Sequence, residues 1–189
     1  MKIIVMSDSH GDVETVKTVS TLPADAIFHC GDSELSLDDP LLHNIHVVRG
    51  NCDRDGRFPE SLLVQVGDKR IFVVHGHEHD CKRSMLPLYY EALEQQADIV
   101  LFGHSHLYGA EMKEGILFVN PGSTLLPRGG NEPSFVEIEW DHEVEDLAYE
   151  GISSDVNTLE NEKKLRITIK NLQLETIHSV EMKNYTRKR

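Results

Sequence analysis

Ile99-Val100-Leu101-Phe102-Gly103-His104-Ser105-His106 carries an unbroken apolar run straight into a glycine and two histidines. A short apolar run bounded by a turn residue reads as a buried strand. Four other segments repeat the arrangement. Ile3-Ile4-Val5 leads to Asp8-Ser9-His10, Ala26-Ile27-Phe28 to Gly31-Asp32, Val47-Val48 to Gly50-Asn51-Cys52-Asp53, and Ile71-Phe72-Val73-Val74 to His75-Gly76-His77. Each set of polar groups therefore sits where a strand ends, the sheet edge at which α/β proteins collect ligands.

The five segments supply seven candidate metal ligands: Asp8, His10, Asp32, Asn51, His75, His104 and His106. Carboxylates are hard anionic donors able to bridge two cations, imidazole suits borderline first-row metals, and Asn adds a neutral oxygen. Seven donors exceed what one tetrahedral ion needs, so two ions sharing a bridge fit better. Any one of these histidines alone reads more readily as a hydrogen-bonded strand-end residue than as a ligand. Together they concentrate polar groups that have no role in an apolar core.

The rest of the chain alternates helices and strands early and then runs mostly to strands. Asp12 is placed to cap a helix presenting Val13, Val16 and Val19 on one face, and residues 82–96 carry a second helical pattern with Pro87 near its start. Gly67-Asp68-Lys69 reads as the turn of a hairpin joining residues 62–66 to 70–74. Further strands are expected at 108–113, 116–119 and 134–140. Leu165, Ile167 and Ile169 alternate with Arg166, Thr168 and Lys170, which predicts one or two appended strands after a polar stretch at 153–164. The expected class is α/β (α+β), with two packed mixed sheets flanked by helices.

The order D-x-H, G-D, G-N-x-D, H-G-H and G-H-S-H resembles the calcineurin-like metallophosphoesterase superfamily, and Gly50-Asn51-Cys52-Asp53 is most similar to its small YfcE-like phosphodiesterase branch. The resemblance runs over roughly residues 1–140, including Asn120-Pro121-Gly122-Ser123. It implies a four-layer αββα sandwich. It also implies one metal held by Asp8, His10, Asp32 and His106, and a second by Asp32, Asn51, His75 and His104, with Asp32 as the bridge. On this reading residues 1–150 are the metallophosphoesterase domain, and residues 151–189 are a strand extension of it ending in a basic tail. Mn is the first expectation for the two divalent ions, with Fe, Zn or Ni also compatible.

Paired ions can acidify a bridging water and clamp phosphate oxygens, so the expected chemistry is metal-assisted hydrolysis of a small phosphodiester without a covalent intermediate. Many superfamily members have histidine where this chain has Cys52, and that histidine is the leaving-group acid. General acid help is worth roughly 10²–10⁴ in rate. His77 is the preferred replacement and His79 the second choice, with a hydrogen bond to a ligand as the competing role for His77. Asp53 is expected to orient Asn51 or a neighbouring imidazole. Arg128 is either a bidentate phosphate contact or an exposed loop arginine.

Composition restricts the partners. The chain has 189 residues, the size of one ordinary domain, and a formal charge of −13. Residues 165–189 carry six Lys/Arg against two Asp/Glu, a net +4, which leaves −17 on residues 1–164. That balance argues against gripping long nucleic acid. Three cysteines without C-x-x-C spacing argue for a reducing, cytoplasmic setting, and no segment reads as a signal peptide or membrane span. The basic residues 183–189 are expected to form a solvated tail or to contact an acidic partner or neighbouring subunit; a homo-oligomer through the late strands remains open. The alternative to an enzyme is a metal-binding protein-interaction scaffold resembling the small retromer subunit.

Overall fold

The computed structural model describes residues 1–141 and 164–183. In chain order these form β1 (Lys2–Met6), α1 (Val13–Ser20), β2 (Ala26–His29), a 3-10 turn (Pro40–Leu42), β3 (His46–Val47), β4 (Ser61–Val66), β5 (Lys69–Val74), α2 (Leu86–Glu94), β6 (Ile99–Leu101), β7 (Tyr108–Lys113), β8 (Ile116–Pro121), β9 (Ser134–Trp140), β10 (Lys164–Asn171) and β11 (Thr176–Lys183). One sheet has the order β11-β10-β9-β1-β2-β3 and the other β4-β5-β6-β8-β7.

Side-chain alternation sorts the strands into four layers. Ile3 and Val5 of β1, Ile71 and Val73 of β5, and Ile99 and Leu101 of β6 meet between the sheets. Their neighbours point the other way: Ile4 and Met6 pack on Val16 and Val19 of α1, while Phe72, Val74 and Val100 pack on Leu88, Tyr89 and Ala92 of α2. A strand buried on both faces needs a continuous apolar run rather than alternation, which is what these strands carry. The result is the αββα sandwich.

Within each sheet a parallel triplet points one way. β1, β2 and β3 are parallel, and so are β5, β6 and β8, so the loops leaving their C-terminal ends gather on one rim. The remaining strands close the sheets by antiparallel pairing.

Several local expectations change in detail. Val13 is 40% exposed while Val16 and Val19 are buried; steps of three residues drift by about 60° around a helix of 3.6 residues per turn, so only two of the three valines reach the sheet. α2 begins at Leu86, with Pro87 in its first turn where a missing N–H costs nothing. The hairpin turn is the two-residue Gly67-Asp68, with Gly67 at φ 56°. Lys69 is therefore the first strand residue, pairing with Val66, and its ammonium lies 3.2 Å from Asp68 Oδ2. β8 continues two residues past 119, taking Asn120 and Pro121 into the strand.

Two appended strands are present, β10 pairing with β9 and β11 with β10. Ile167 and Ile169 join the core between the sheets. The boundary expected at residue 150, the polar stretch up to 163 and the end of the basic tail, 184–189, lie outside the described residues. No helix among the described residues is long and apolar enough to cross a membrane.

Candidate metal centre

The rim is assembled by backbone pairing that continues beyond the strands. Asp8 N–H donates to Gly31 C=O at 3.0 Å, His10 N–H to Asp32 C=O at 3.0 Å, and Gly103 N–H to His75 C=O at 3.0 Å. These bonds align the loops after β1 and β2 and those after β5 and β6, and the His104 N–H, donating to Asp8 Oδ2 at 3.2 Å, joins the two pairs across nearly a hundred positions.

Glycines make room for that approach. A Cβ on Gly50 would collide with Asp32 Oδ1 and the Asp32 amide, and one on Gly103 with Ser7 Oγ. The glycines of the G-N-x-D and G-H-S-H motifs are thus steric requirements of the packed rim.

The candidate ligands sit in strained backbone. Asp8, His10, Asp32, His104 and His106 have φ between 45° and 65°. Non-glycine residues there cost about 1–3 kcal/mol each and persist only when the surroundings over-determine them.

Three imidazoles are oriented alike. Nδ1 of His75 donates to Cys30 C=O at 2.7 Å, Nδ1 of His106 to Leu126 C=O at 2.6 Å, and Nδ1 of His10 to Glu34 Oε1 at 2.7 Å. Engaging Nδ1 leaves Nε2 for the site, the arrangement by which outer partners set a metal-binding tautomer.

Three compact groups result, each with its ligand atoms within 4.8 Å of one another: Asp8, His10 and His106; Asp8, Asp32 and His75; and, more exposed, His10, Glu34 and Cys52. His106 Nε2 lies 3.1 Å from Asp8 Oδ1, and His75 Nε2 lies 3.3 Å from Asp32 Oδ2 and 3.2 Å from Asn51 Oδ1. Asp8 is common to the first two groups, and Asp32 Oδ1 accepts from the Cys52 N–H at 2.7 Å. His104 stands beside them, its ring 5.0 Å from His75.

The donor set fits divalent cations. His10 Nε2 is buried with no hydrogen-bond partner, and Asp8 Oδ1, buried as well, has His106 Nε2 3.1 Å away but outside hydrogen-bond geometry. Orphaned buried polar atoms cost free energy unless a partner compensates them, and an oxygen and a nitrogen facing one point are metal donors. Burial, the largest single influence, would raise the Asp8 and Asp32 carboxyls; the facing His106 and His75 imidazoles with Ser7 at Asp8, and His75 with Cys52 at Asp32, together outweigh it and hold both low. Burial and the nearby His75 push His104 down to about 4, leaving a neutral imidazole.

The other sequence candidates fall around this core. Asp53, only 4% exposed, accepts from the Asp32, Gly50 and Glu34 amides at 2.7–2.8 Å and from Ser33 Oγ at 3.1 Å. Its partners are thus backbone amides and a hydroxyl rather than Asn51 or an imidazole, and it staples the Asp32 turn to the Gly50 turn. His77 lies beside the site, its ring 5.3 Å from His75 and 6.1 Å from His104, with Nδ1 buried and unpartnered. His79 is held at 2.6 Å by Glu91. The exposed Arg128 binds its backbone N–H to His106 C=O at 3.1 Å. Burial, then Asp32, raises the Cys52 thiol to about 11, so it is protonated and a poor nucleophile.

Glu34 escaped sequence reasoning, although its spacing two residues after Asp32 was a usable signal. Ser7 and Ser123 were also missed: Ser7 Oγ donates to Asp8 Oδ2 at 2.6 Å and Ser123 Oγ to Asp8 C=O at 2.7 Å. Serines carry too little individual signal to have been chosen.

Comparison with known proteins finds a family and several relatives. The calcineurin-like phosphoesterase superfamily domain matches residues 1–143. The probable metallophosphoesterase YsnB of Bacillus subtilis (strain 168) is 38% identical over 165 residues, covering 85% of this chain and 98% of that protein. Phosphodiesterase YfcE of Escherichia coli (strain K12) is 36% identical over 103 residues, covering 50% of this chain and 52% of that protein. A crystal structure of a predicted phosphoesterase from Streptococcus pneumoniae TIGR4 superposes with a TM-score of 0.83 at 35% identity, covering 96% of this chain and 97% of that one.

Proposed function

The chain belongs to the calcineurin-like phosphoesterase superfamily, and from that premise we propose that it is a dinuclear-metal-dependent phosphodiesterase acting on small phosphodiesters. The observation that carries the reading is the pair of buried donors, Asp8 Oδ1 and His10 Nε2, neither of them in a hydrogen bond, beside a second group built on Asp32 and His75.

Asp8, His10 and His106 would hold one ion with Asp32, and Asp32, Asn51, His75 and His104 the other. When bound, the ions supply positive charge for the phosphate oxygens and acidify water at neutral pH. Mn²⁺ is the first choice, and Fe, Zn and Ni suit the same donors.

The protein's own groups do the rest. His77, whose pKa is lowered by burial and then by His75, stands beside the centre as the leaving-group acid in the place that Cys52 does not fill. Loss of the histidine at position 52 favours diesters with good leaving groups over a broad range of monoesters. Arg128, anchored by its amide to His106 C=O, is the proposed phosphate contact, its fork suited to two oxygens. Asp53 preserves the geometry by clamping both turns. The free cysteines support a reducing, cytoplasmic setting.

The test is hydrolysis of an activated phosphodiester beside its matching monoester, with metal-stripped protein resupplied with Mn²⁺. Diesterase activity that requires metal and disappears in Asp32→Ala is expected. Stoichiometric metal without turnover on any diester would overturn the reading in favour of a protein-interaction scaffold. His77→Ala should lower turnover on an unactivated diester while metal content holds; unchanged turnover would remove His77 from the acid role.

A further inference from the structure

A cavity of about 500 Å³ opens beside the metal centre, between the outer face of β7 and β8 and the start of α2. Its volume lies in the roughly 300–1,000 Å³ range of small-molecule sites. Met85, Phe102, Leu107 and Phe118 provide apolar wall, while Lys82 and Arg128 stand on it as cations. It shares its wall with the candidate site. Ser105 separates His104 from His106, and Asn120 donates to Ser105 Oγ at 3.0 Å and to Gly103 C=O at 2.8 Å. Arg128 is tied by its amide to His106 C=O.

Gly109 is the informative residue. It lies within β7, opposite Asn120, and lines the cavity. Its φ is not positive, and a Cβ added to it would meet nothing within 4 Å. Neither backbone conformation nor packing in the protein explains a glycine there. Glycine inside a strand otherwise marks close approach of a ligand. Glu111, next on the same face, carries a long side chain into the cavity wall; at Gly109 the wall is left open.

We propose that this cavity is the subsite for one organic arm of the phosphodiester and that it takes a planar aromatic ring, seated against Phe102, Phe118 and Met85. The inference rests on the phosphodiesterase reading, since the phosphate must occupy the adjoining centre. Aromatic and thioether groups favour ring contact, and Lys82 and Arg128, outnumbering the one carboxylate on the wall, Glu111, draw an anionic ligand to a chain whose net charge is −13. The substrate class is accordingly an aryl or nucleoside phosphodiester rather than one with two small alkyl arms.

The experiment is calorimetric titration of the Mn²⁺-loaded protein with two non-hydrolysable probes, methylphosphonate and phenylphosphonate. Phenylphosphonate should bind at least tenfold more tightly. Gly109→Phe, which fills the cavity from an exposed strand position, should remove that advantage and leave methylphosphonate affinity within twofold, at wild-type metal content. Equal binding of both probes by the wild type, an undiminished advantage in Gly109→Phe, or equal weakening of both probes would overturn the subsite while leaving the metal centre standing. Binding of neither probe would overturn the phosphodiesterase reading and the subsite together.

Discussion

The rim at the C-terminal ends of the parallel strands and the β10–β11 ribbon follow opposite rules. On the rim five candidate ligands occupy left-handed backbone, glycines stand where a single carbon would collide, and carboxylates are buried. The ribbon alternates: Leu165, Ile167 and Ile169 face the core, while Arg166 meets Glu181 in solvent at 2.7 Å. Among ribbon residues only Leu174, in the turn, has positive φ without being glycine. The ribbon contributes burial, which the rim consumes. Residues that break local rules mark the functional end of the molecule, and residues that obey them mark its support.

Four substitutions sharpen or break this contrast. Gly50→Ala places a carbon against Asp32 and should have the largest effect, a loss of about 3 kcal/mol or more in denaturant unfolding together with loss of metal binding. A stable, metal-loaded Gly50→Ala protein would mean that the rim yields more readily than its packing implies. Asp53→Ala removes the acceptor for three amides and a hydroxyl. It should cost about 2–3 kcal/mol and weaken Mn²⁺ binding about 10–100-fold, as loss of supporting groups does, measured by competition with a chelating dye.

Ile167→Ala, at 1% exposure, should cost about 2–4 kcal/mol and leave metal affinity unchanged; altered affinity would show that ribbon and rim are coupled. Arg166→Ala should leave the unfolding midpoint where it was, because an exposed ion pair contributes little. A clear drop would make the ribbon surface more than a solvated face.

The two regions also differ in how far the sequence exposes them. The rim's ligand types were legible because unbroken apolar runs stop abruptly at Asp, Asn or His, and the layers followed from strands apolar on both sides. β10 was legible from strict alternation, whereas β11 was only an option, because Thr176–Lys183 buries its residues weakly and irregularly. What could not be read was anything made by backbone meeting backbone. The clamp by Asp53, the carbonyls of Cys30 and Leu126, and the left-handed turns depend on segments dozens of residues apart. Side-chain patterns carry no record of such pairings. Val13 was misplaced for a simpler reason, the drift of a three-residue step around the helix.

The two carbonyls behind His75 and His106 have an evolutionary corollary. A histidine steered by a neighbouring side chain can be retuned by one substitution, as Glu34 permits for His10. One steered by main-chain oxygen is insulated from point mutation, since every residue type at positions 30 and 126 brings the same acceptor. Divergence among descendants of this chain should therefore begin at Glu34 and His10, and spare the other two imidazoles for as long as the fold is inherited.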